Sequence, residues 1–408
     1  MKYRILARSI LKALRSFPAV VVTGPRQSGK TTLVRNLLRS THTHINLEDP
    51  DVGLRAIEDP RGFLDNLSTP VILDEIQYVS ELLPYIKSKV DSKRKAGQWI
   101  LTGLQNFVLM RGVSESLAGR AAVLSLLPFT LMERIGGGEE SRDVPSLLKT
   151  SKPNPPRSDI KTSLAELVLR GSYPEIASKR SVDRGIWCGS YIATYLERDI
   201  RNLSQVGDLR QFELFLRLAA TRTGQLLNIS EIAREIGISS PTAARWISLL
   251  ETGYQIMLLP PYYRNIGKRL VKSPKLYFND TALACHLLGL RDTATLLNSP
   301  HFPHLFETFI IADFWKRYLH FGQMPSLYYM RTRDGLEIDL VVEEAQKLHL
   351  FEVKSGATIT SKHAASLQRA RSDLGRLIGS CAVIARSPES FPLGRDIQVC
   401  RWQDVLAT

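Results

Sequence analysis

Residues 19–32 read AVVVTGPRQSGKTT, and the architecture of the N-terminal part follows from them. The run opens with a short, β-branched, apolar stretch, the pattern of a strand buried on both faces. Gly24-Pro25-Arg26-Gln27-Ser28-Gly29-Lys30-Thr31 then matches G-x-x-x-x-G-K-[ST] without a gap. Glycines at these places let the backbone turn tightly, so that successive N–H groups point at phosphate oxygens. A helix opening at Gly29-Lys30 and running to about Arg39 adds the partial positive charge of its N-terminus. Lys30 is expected on the β- and γ-phosphates and the Thr31 hydroxyl on Mg²⁺, with Thr32 continuing the nucleotide-binding run.

Outward from this loop the same logic repeats. Val71-Ile72-Leu73-Asp74-Glu75 is a second buried strand that ends in two acids. Such a strand delivers Asp74 to its C-terminal end, beside the phosphate loop, where it would hold Mg²⁺. Glu75 would orient or deprotonate the attacking water. Residues 99–102 form a further strand ending at Thr102, placed to sense the γ-phosphate or polarise the water. Arg120, with Arg111 as its rival, would stabilise transition-state charge, in cis or from a neighbouring subunit. Shorter runs at 45–47 and 121–126 complete an alternation of strands and helices. That alternation predicts a parallel sheet with helices on its faces.

The whole chain has 408 residues, a formal charge of +14, 44% hydrophobic and 23% charged residues. This composition excludes global disorder, a fibrous repeat and a small disulfide scaffold, and the length implies two or three domains. The positive excess favours a polyanionic partner, nucleic acid such as double-stranded DNA first and an anionic membrane surface second. The four cysteines are widely spaced, which suits a reducing cytoplasm and gives no zinc or dithiol pattern. The longest apolar stretch, at 121–132, is too short to span a bilayer, so no membrane is expected.

Residues 136–158 are rich in Gly, Pro and Ser and read as an exposed loop. The chain is therefore divided into 1–135, a phosphate-loop ATPase domain; 136–160, a linker; 161–300, a mostly helical region; and 301–408, a C-terminal α/β domain. Within the third segment, residues 229–251 read helix, tight turn, helix, with Ser230 as N-cap and Gly237 at the turn. Ser239, Thr242 and Arg245 are candidate DNA contacts. The basic stretch Arg264, Lys268, Arg269, Lys272 and Lys275 suits a β-wing that touches backbone phosphates.

In the last segment, Glu337-Ile338-Asp339-Leu340 and Glu352-Val353-Lys354 lie on successive strand-like runs. A hairpin turning between Ala345 and Gln346 sets Asp339 opposite Glu352 and Glu337 opposite Lys354. Ile338, Leu340, Phe351 and Val353 then share the buried face. Asp339 and Glu352 so placed repel unless a cation, a proton or Lys354 compensates. A second Mg²⁺ or Mn²⁺ there would make a phosphodiester-cleaving site, with Glu307 from the preceding helix as a further ligand.

With these residues in hand, the chain resembles the prokaryotic ATPases that carry an AAA-type N-terminal domain and a C-terminal DUF4143 domain. Further landmarks are Leu101-Thr102-Gly103, Leu117-Ala118-Gly119-Arg120, Gly171-Ser172-Tyr173-Pro174-Glu175 and Tyr195-Leu196-Glu197-Arg198-Asp199-Ile200. Leu104 departs from the resemblance, since the family carries serine there. The resemblance implies an AAA-like ATP-binding domain, a winged-helix region and a terminal domain similar to restriction-endonuclease folds. In that nuclease motif the acids and lysine fall on Asp339, Glu352 and Lys354, with Glu307 upstream. The expected function is ATP hydrolysis with Mg²⁺, coupled to a DNA-directed module. The alternative is a nucleotide-dependent switch that binds a protein partner or operator through an inactive nuclease-like fold. A trans-acting arginine would require an oligomer.

Overall fold

A computed structural model of the chain describes residues 2–103, 113, 115–149, 160–194, 209–262, 273–332, 335–394 and 396–408. Leu104, Arg111, the landmark at 195–200 and Arg264, Lys268, Arg269 and Lys272 lie outside the described residues, as does 150–158 of the expected loop. The chain forms two compact units. One is Met1–Phe129 with Thr252–Tyr254 and Leu319–Gln323; the other is Thr130–Glu251, Gln255–Tyr318 and Met324–Thr408.

In the first unit α1 (Leu6–Leu14) precedes β1 (Ala19–Thr23), α2 (Lys30–Leu38), β2 (Thr43–Asn46), α3 (Pro50–Glu58) and α4 (Pro60–Asp65). Then come β3 (Val71–Asp74), α5 (Leu82–Ser92), β4 (Trp99–Thr102) and β5 (Ala121–Ser125). The strands form one parallel sheet in the order β2-β3-β4-β1-β5. Alternation along each strand splits the core between its two faces. Val21, Leu73 and Leu101 pack with Leu47, Leu83 and Ile86 on one face. Val20, Ile72 and Ile100 pack with Leu6, Ile10 and Leu33 on the other. Burial on both sides explains why β1, β3 and β4 read as continuous apolar runs. The order places the ends of β1 and β3 on the same edge, with β4 between them.

The second unit holds a helical array, a three-stranded sheet and a six-stranded sheet. Helices Ile229–Ile236 and Ser240–Thr252 form the expected helix–turn–helix, with Gly237 in the left-handed region at the turn. The N-cap is Asn228 rather than Ser230, its side chain accepting from the Glu231 N–H at 3.2 Å. Ile232, Ala233, Ile247 and Leu250 are core. Strands β6 (Gln225–Leu226), β7 (Ile256–Leu259) and β8 (Lys275–Phe278) form the small sheet in the order β6-β8-β7.

The larger sheet has the order β13-β14-β12-β11-β10-β9, from β9 (Leu327–Arg331), β10 (Glu337–Glu344), β11 (Lys347–Lys354), β12 (Ile378–Ala385), β13 (Phe391–Pro392) and β14 (Ile397–Arg401). The long helix Phe302–His320 supplies Phe306, Ile310 and Phe314 to one core, which takes Leu340, Val342, Phe351 and Val353 from the sheet. Helix Ala365–Leu374 supplies Leu367 and Ala370 to another. The β10–β11 hairpin keeps the predicted register from Leu340–Phe351 to Glu344–Lys347. Its turn residues Ala345 and Gln346 both take positive φ, as a two-residue hairpin of this twist requires. One detail differs. A register shift against β9 between Ile338 and Val341 turns Ile338 away from Leu340 and into the core around Val341 and Leu350.

The expected exposed loop after 135 contains the helix Val144–Lys149, and Val144 is fully buried in the core around Phe306. Leu148 packs against the same core and Asp143 accepts from the Ser146 N–H at 3.0 Å, contacts that the loop-like composition of the segment does not reveal. The landmark Gly171-Ser172 is part of a buried polar network. Both the N–H and the hydroxyl of Ser172 donate to Asp280, at 2.6 and 2.7 Å, and Lys316 donates to the Ser172 hydroxyl at 2.7 Å.

Candidate functional site

The loop after β1 is held from several sides. Gly24 has φ +147°, and a Cβ there would lie 2.1 Å from the carbonyl oxygen of Leu126. Only glycine fits at this approach. Gly29 caps α2 in the left-handed region. Gln27, although not glycine, also takes φ +57°. Such strain persists only where the surroundings over-determine it. Arg4, buried beneath the loop, donates to the Ser28 carbonyl at 2.7 Å and the Leu127 carbonyl at 2.6 Å. Its guanidinium lies 4.8 Å from the centroid of Phe129. Lys30 folds back over the loop and donates to the Gly24 and Pro25 carbonyls at 3.0 and 2.9 Å. The Ser28 hydroxyl is buried without a hydrogen-bond partner. Pro25 and Ser28 are buried, Arg26 half-buried, and Gln27 and Thr32 exposed.

Gly24→Ala is expected to lower nucleotide affinity about 10–100-fold, the equivalent of the 1–3 kcal/mol of backbone strain it introduces. Titration with a fluorescent ATP analogue reads the loss; wild-type affinity in the variant would show that the loop has room to yield.

Three side chains converge on Asp74, which is almost fully buried at the end of β3. Thr31 Oγ1 donates to Asp74 Oδ1 at 3.1 Å. Thr102 Oγ1, at the end of β4, donates to the same oxygen. His44 Nε2, on the edge strand β2, lies 3.2 Å from Oδ2. Thr102 also accepts from the backbone N–H of Glu75 at 3.2 Å. Its hydroxyl therefore ties the two acids together. Glu75 takes φ +57°, and its carboxylate accepts from Gln77 Nε2 at 2.5 Å. His44 was not anticipated. Its only sequence signal is its place on the strand that pairs with β3.

Arg120 is not brought to this cluster. Ala121 pairs with Ala19 at the start of β1, so Arg120 stands at the opposite edge of the sheet from Gly24. There it donates to Asp91 through Nε at 2.6 Å and through a terminal nitrogen at 3.0 Å.

In the second unit the four candidates Glu307, Asp339, Glu352 and Lys354 come together around a residue assigned elsewhere by sequence. Lys275 is not on a solvated wing. Its side chain is 4% exposed, and its ammonium lies 2.8 Å from Glu337, 3.5 Å from Glu307 and 3.6 Å from Asp339. Lys354 contacts Glu352 at 2.7 Å and the other oxygen of Asp339 at 3.4 Å. Tyr277 donates to Glu307 at 2.5 Å, and the Val353 N–H to Asp339 at 2.9 Å.

Burial works against both ammonium groups, but the acids around them outweigh it and raise Lys275 and Lys354. Burial also opposes the charge of Asp339; Lys354, Lys275 and the Val353 N–H overcome it and hold the carboxyl below its ordinary value. Burial and then Asp339 push Glu307 up to about 7 and raise Glu352. Among the described residues no group of three His, Cys, Asp or Glu side chains is arranged to hold a metal ion. Arg245 is exposed and Thr242 half-buried on the second helix of the helix–turn–helix, where the Thr242 N–H donates to Ser239 Oγ at 3.2 Å.

Three segments of the chain match known families. Residues 16–135 match an AAA domain family, 161–294 a domain of unknown function (DUF8612) and 302–405 the DUF4143 domain of unknown function. Uncharacterised proteins of Mycobacterium tuberculosis and Mycobacterium bovis are each 31% identical over 408 residues, covering 99% of this chain and 85% of theirs. The chain belongs to the AAA-type ATPases with a C-terminal DUF4143 domain. Within that family, the phosphate loop and the acids of β3 fall in the AAA segment and the lysine–carboxylate cluster reaches into DUF4143. Among solved structures, the Walker-type ATPase PabY2304 of Pyrococcus abyssi matches at 17% identity and TM-score 0.44, covering 69% of this chain and 94% of that one. The RuvB Holliday junction branch migration motor of Thermotoga maritima matches at 16% and 0.30, covering 62% and 89%. Among the described residues no helix is long and apolar enough to cross a membrane.

Proposed function

We propose that this chain hydrolyses ATP with Mg²⁺ at the loop Gly24–Thr31 and the acids Asp74 and Glu75, and that nucleotide state controls a module directed at double-stranded DNA. The carrying observation is the convergence of Thr31, Thr102 and His44 on Asp74 beside a strained Glu75. A hydroxyl and a carboxylate 3.1 Å apart are the hard oxygen donors that Mg²⁺ takes, and the partnerless Ser28 hydroxyl suits a phosphate-facing loop. Mg²⁺ held by Thr31 and Asp74 would neutralise charge developing on the phosphates. Lys30 binds the β- and γ-phosphates, the loop N–H groups orient them, and Glu75 takes or directs the water proton. We read 161–300 as a winged-helix region and 301–408 as a restriction-endonuclease-like fold, joined to the ATPase domain 1–135 by 136–160. Tyr254 belongs to the same unit as the loop, and its hydroxyl lies 3.2 Å from Thr23 Oγ1 and 2.6 Å from Ser125 Oγ.

A second reading is favoured by one observation. Two lysines compensate the C-terminal acids, which suits a switch that binds an operator or a protein partner without cutting. The deciding experiment is ATP turnover with Mg²⁺, with and without linear double-stranded DNA, for wild type and Lys30→Ala, scoring DNA cleavage in the same tube. Turnover that rises with DNA and disappears in the variant is the expected result. Turnover indifferent to DNA would reject the DNA-directed reading in favour of a protein-directed switch.

A further inference from the structure

The acids of the C-terminal cluster surround a point already taken by a cation of the chain itself. Lys275 enters from β8, where Leu259 and Leu226 are its strand partners. Its start is pinned to the next sheet, because Tyr329 donates its hydroxyl to the Ser273 carbonyl at 2.6 Å and Tyr262 donates its N–H to the Tyr329 carbonyl at 2.6 Å. The ammonium lies 5.7 Å from the Tyr329 ring centroid. Its remaining directions face Glu337, Glu307 and Asp339 at 2.8, 3.5 and 3.6 Å. The first is a hydrogen-bond separation and the other two are those of ion pairs around an ammonium. A divalent ion would draw the same oxygens to about 2.0–2.6 Å.

We infer that Lys275 is the resident cation of this cluster, standing where a nuclease-like centre would hold its divalent metal, so that the C-terminal centre of this chain is metal-free. The argument is one of space and charge. Asp339 stands between two lysines, one beside each carboxylate oxygen, and Oδ2 also accepts from the Val353 N–H, so a metal would compete with an ammonium at either oxygen. Glu307 is shared between Lys275 and the Tyr277 hydroxyl. A divalent ion placed among these acids would lie against the Lys275 ammonium and meet its repulsion at close range. The residue that blocks the metal comes from the helical segment rather than from DUF4143. A search for the acidic motif alone therefore does not find it. The inference is independent of whether ATP is hydrolysed at the other unit.

Removing the ammonium should create the site it occupies. A cavity of about 330 Å³ lined by Lys275, Glu337, Arg331, His304 and Arg222 adjoins the cluster, so a hydrated ion has a way in. The test titrates Mn²⁺ into the nucleotide-free full-length chain and follows the paramagnetic resonance signal of free Mn²⁺. Wild type and Asp339→Asn are expected to give the same isotherm, since Asp339 holds no metal. Lys275→Met is expected to bind one additional Mn²⁺ per chain, and Asp339→Asn in that background to remove it. An Mn²⁺ bound by wild type and lost in Asp339→Asn or Glu352→Gln would overturn the inference. So would a Lys275→Met chain with wild-type circular dichroism and no added Mn²⁺. Should Lys275→Met fail to fold, the comparison of wild type with Asp339→Asn and Glu352→Gln still decides.

Discussion

Glu75→Gln is expected to lower ATP turnover about 10²–10⁴-fold, the usual worth of a positioned general base, with nucleotide affinity unchanged. The substitution is nearly isosteric. It leaves the loop, Lys30 and the three partners of Asp74 in place, because none of those contacts involves the Glu75 side chain. The backbone N–H of Glu75 still donates to Thr102, so the residue keeps its position. What disappears is the anionic oxygen that takes or directs the water proton. The left-handed φ of +57° is informative here, since a glutamate held in that region costs of order 1–3 kcal/mol and persists only where its surroundings over-determine it. Single-turnover ADP formation and analogue binding measured on one preparation separate the two effects. Unchanged turnover would remove Glu75 from the chemistry, and parallel loss of binding would make it a ligand of the nucleotide.

The parts of this site that sequence revealed are those fixed by short spacings. A phosphate loop needs its glycines, lysine and threonine within eight consecutive residues, so the motif and the geometry coincide. The acids of β3 were legible because a fully buried strand must end in something polar. Hairpin register was legible because side chains alternate with period two. Where the reading failed, the missing information was long-range. Lys275 sits in a run of basic residues and reads as solvated; its partners Glu307, Glu337 and Asp339 are brought to it by strand pairing that no local pattern encodes. Arg120 adjoins a strand, but whether it lies at the phosphate edge depends on which end of the strand it adjoins. The parallel register of β1 and β5 answers that. His44 reaches Asp74 only because β2 pairs with β3. Ile338 left its expected face through a register shift, which depends on β9 rather than on its own strand.

Glu307→Gln is expected to change how stability depends on pH by about 3 kcal/mol between pH 4 and pH 8. Glu307 is buried, and that burial, reinforced by Asp339 and opposed by Lys275 and Tyr277, raises its carboxyl from 4.5 to about 7. The folded chain therefore keeps a proton that the unfolded chain has released. A group raised in this way contributes stability that is full below about 4.5 and is lost as pH rises through about 7. Glutamine is neutral at every pH and still accepts from Tyr277, so the variant escapes that loss. Relative to wild type it should gain stability steadily across the window and level off above it. Four of the five tryptophans, Trp187, Trp246, Trp315 and Trp402, lie in the unit that holds Glu307, so urea unfolding followed by their fluorescence reports that unit. Parallel pH profiles for the two chains would mean that Glu307 ionises at its ordinary value in the folded chain. In that case the ammonium of Lys275, and not a proton on Glu307, would be the compensating charge that burial demands at that position.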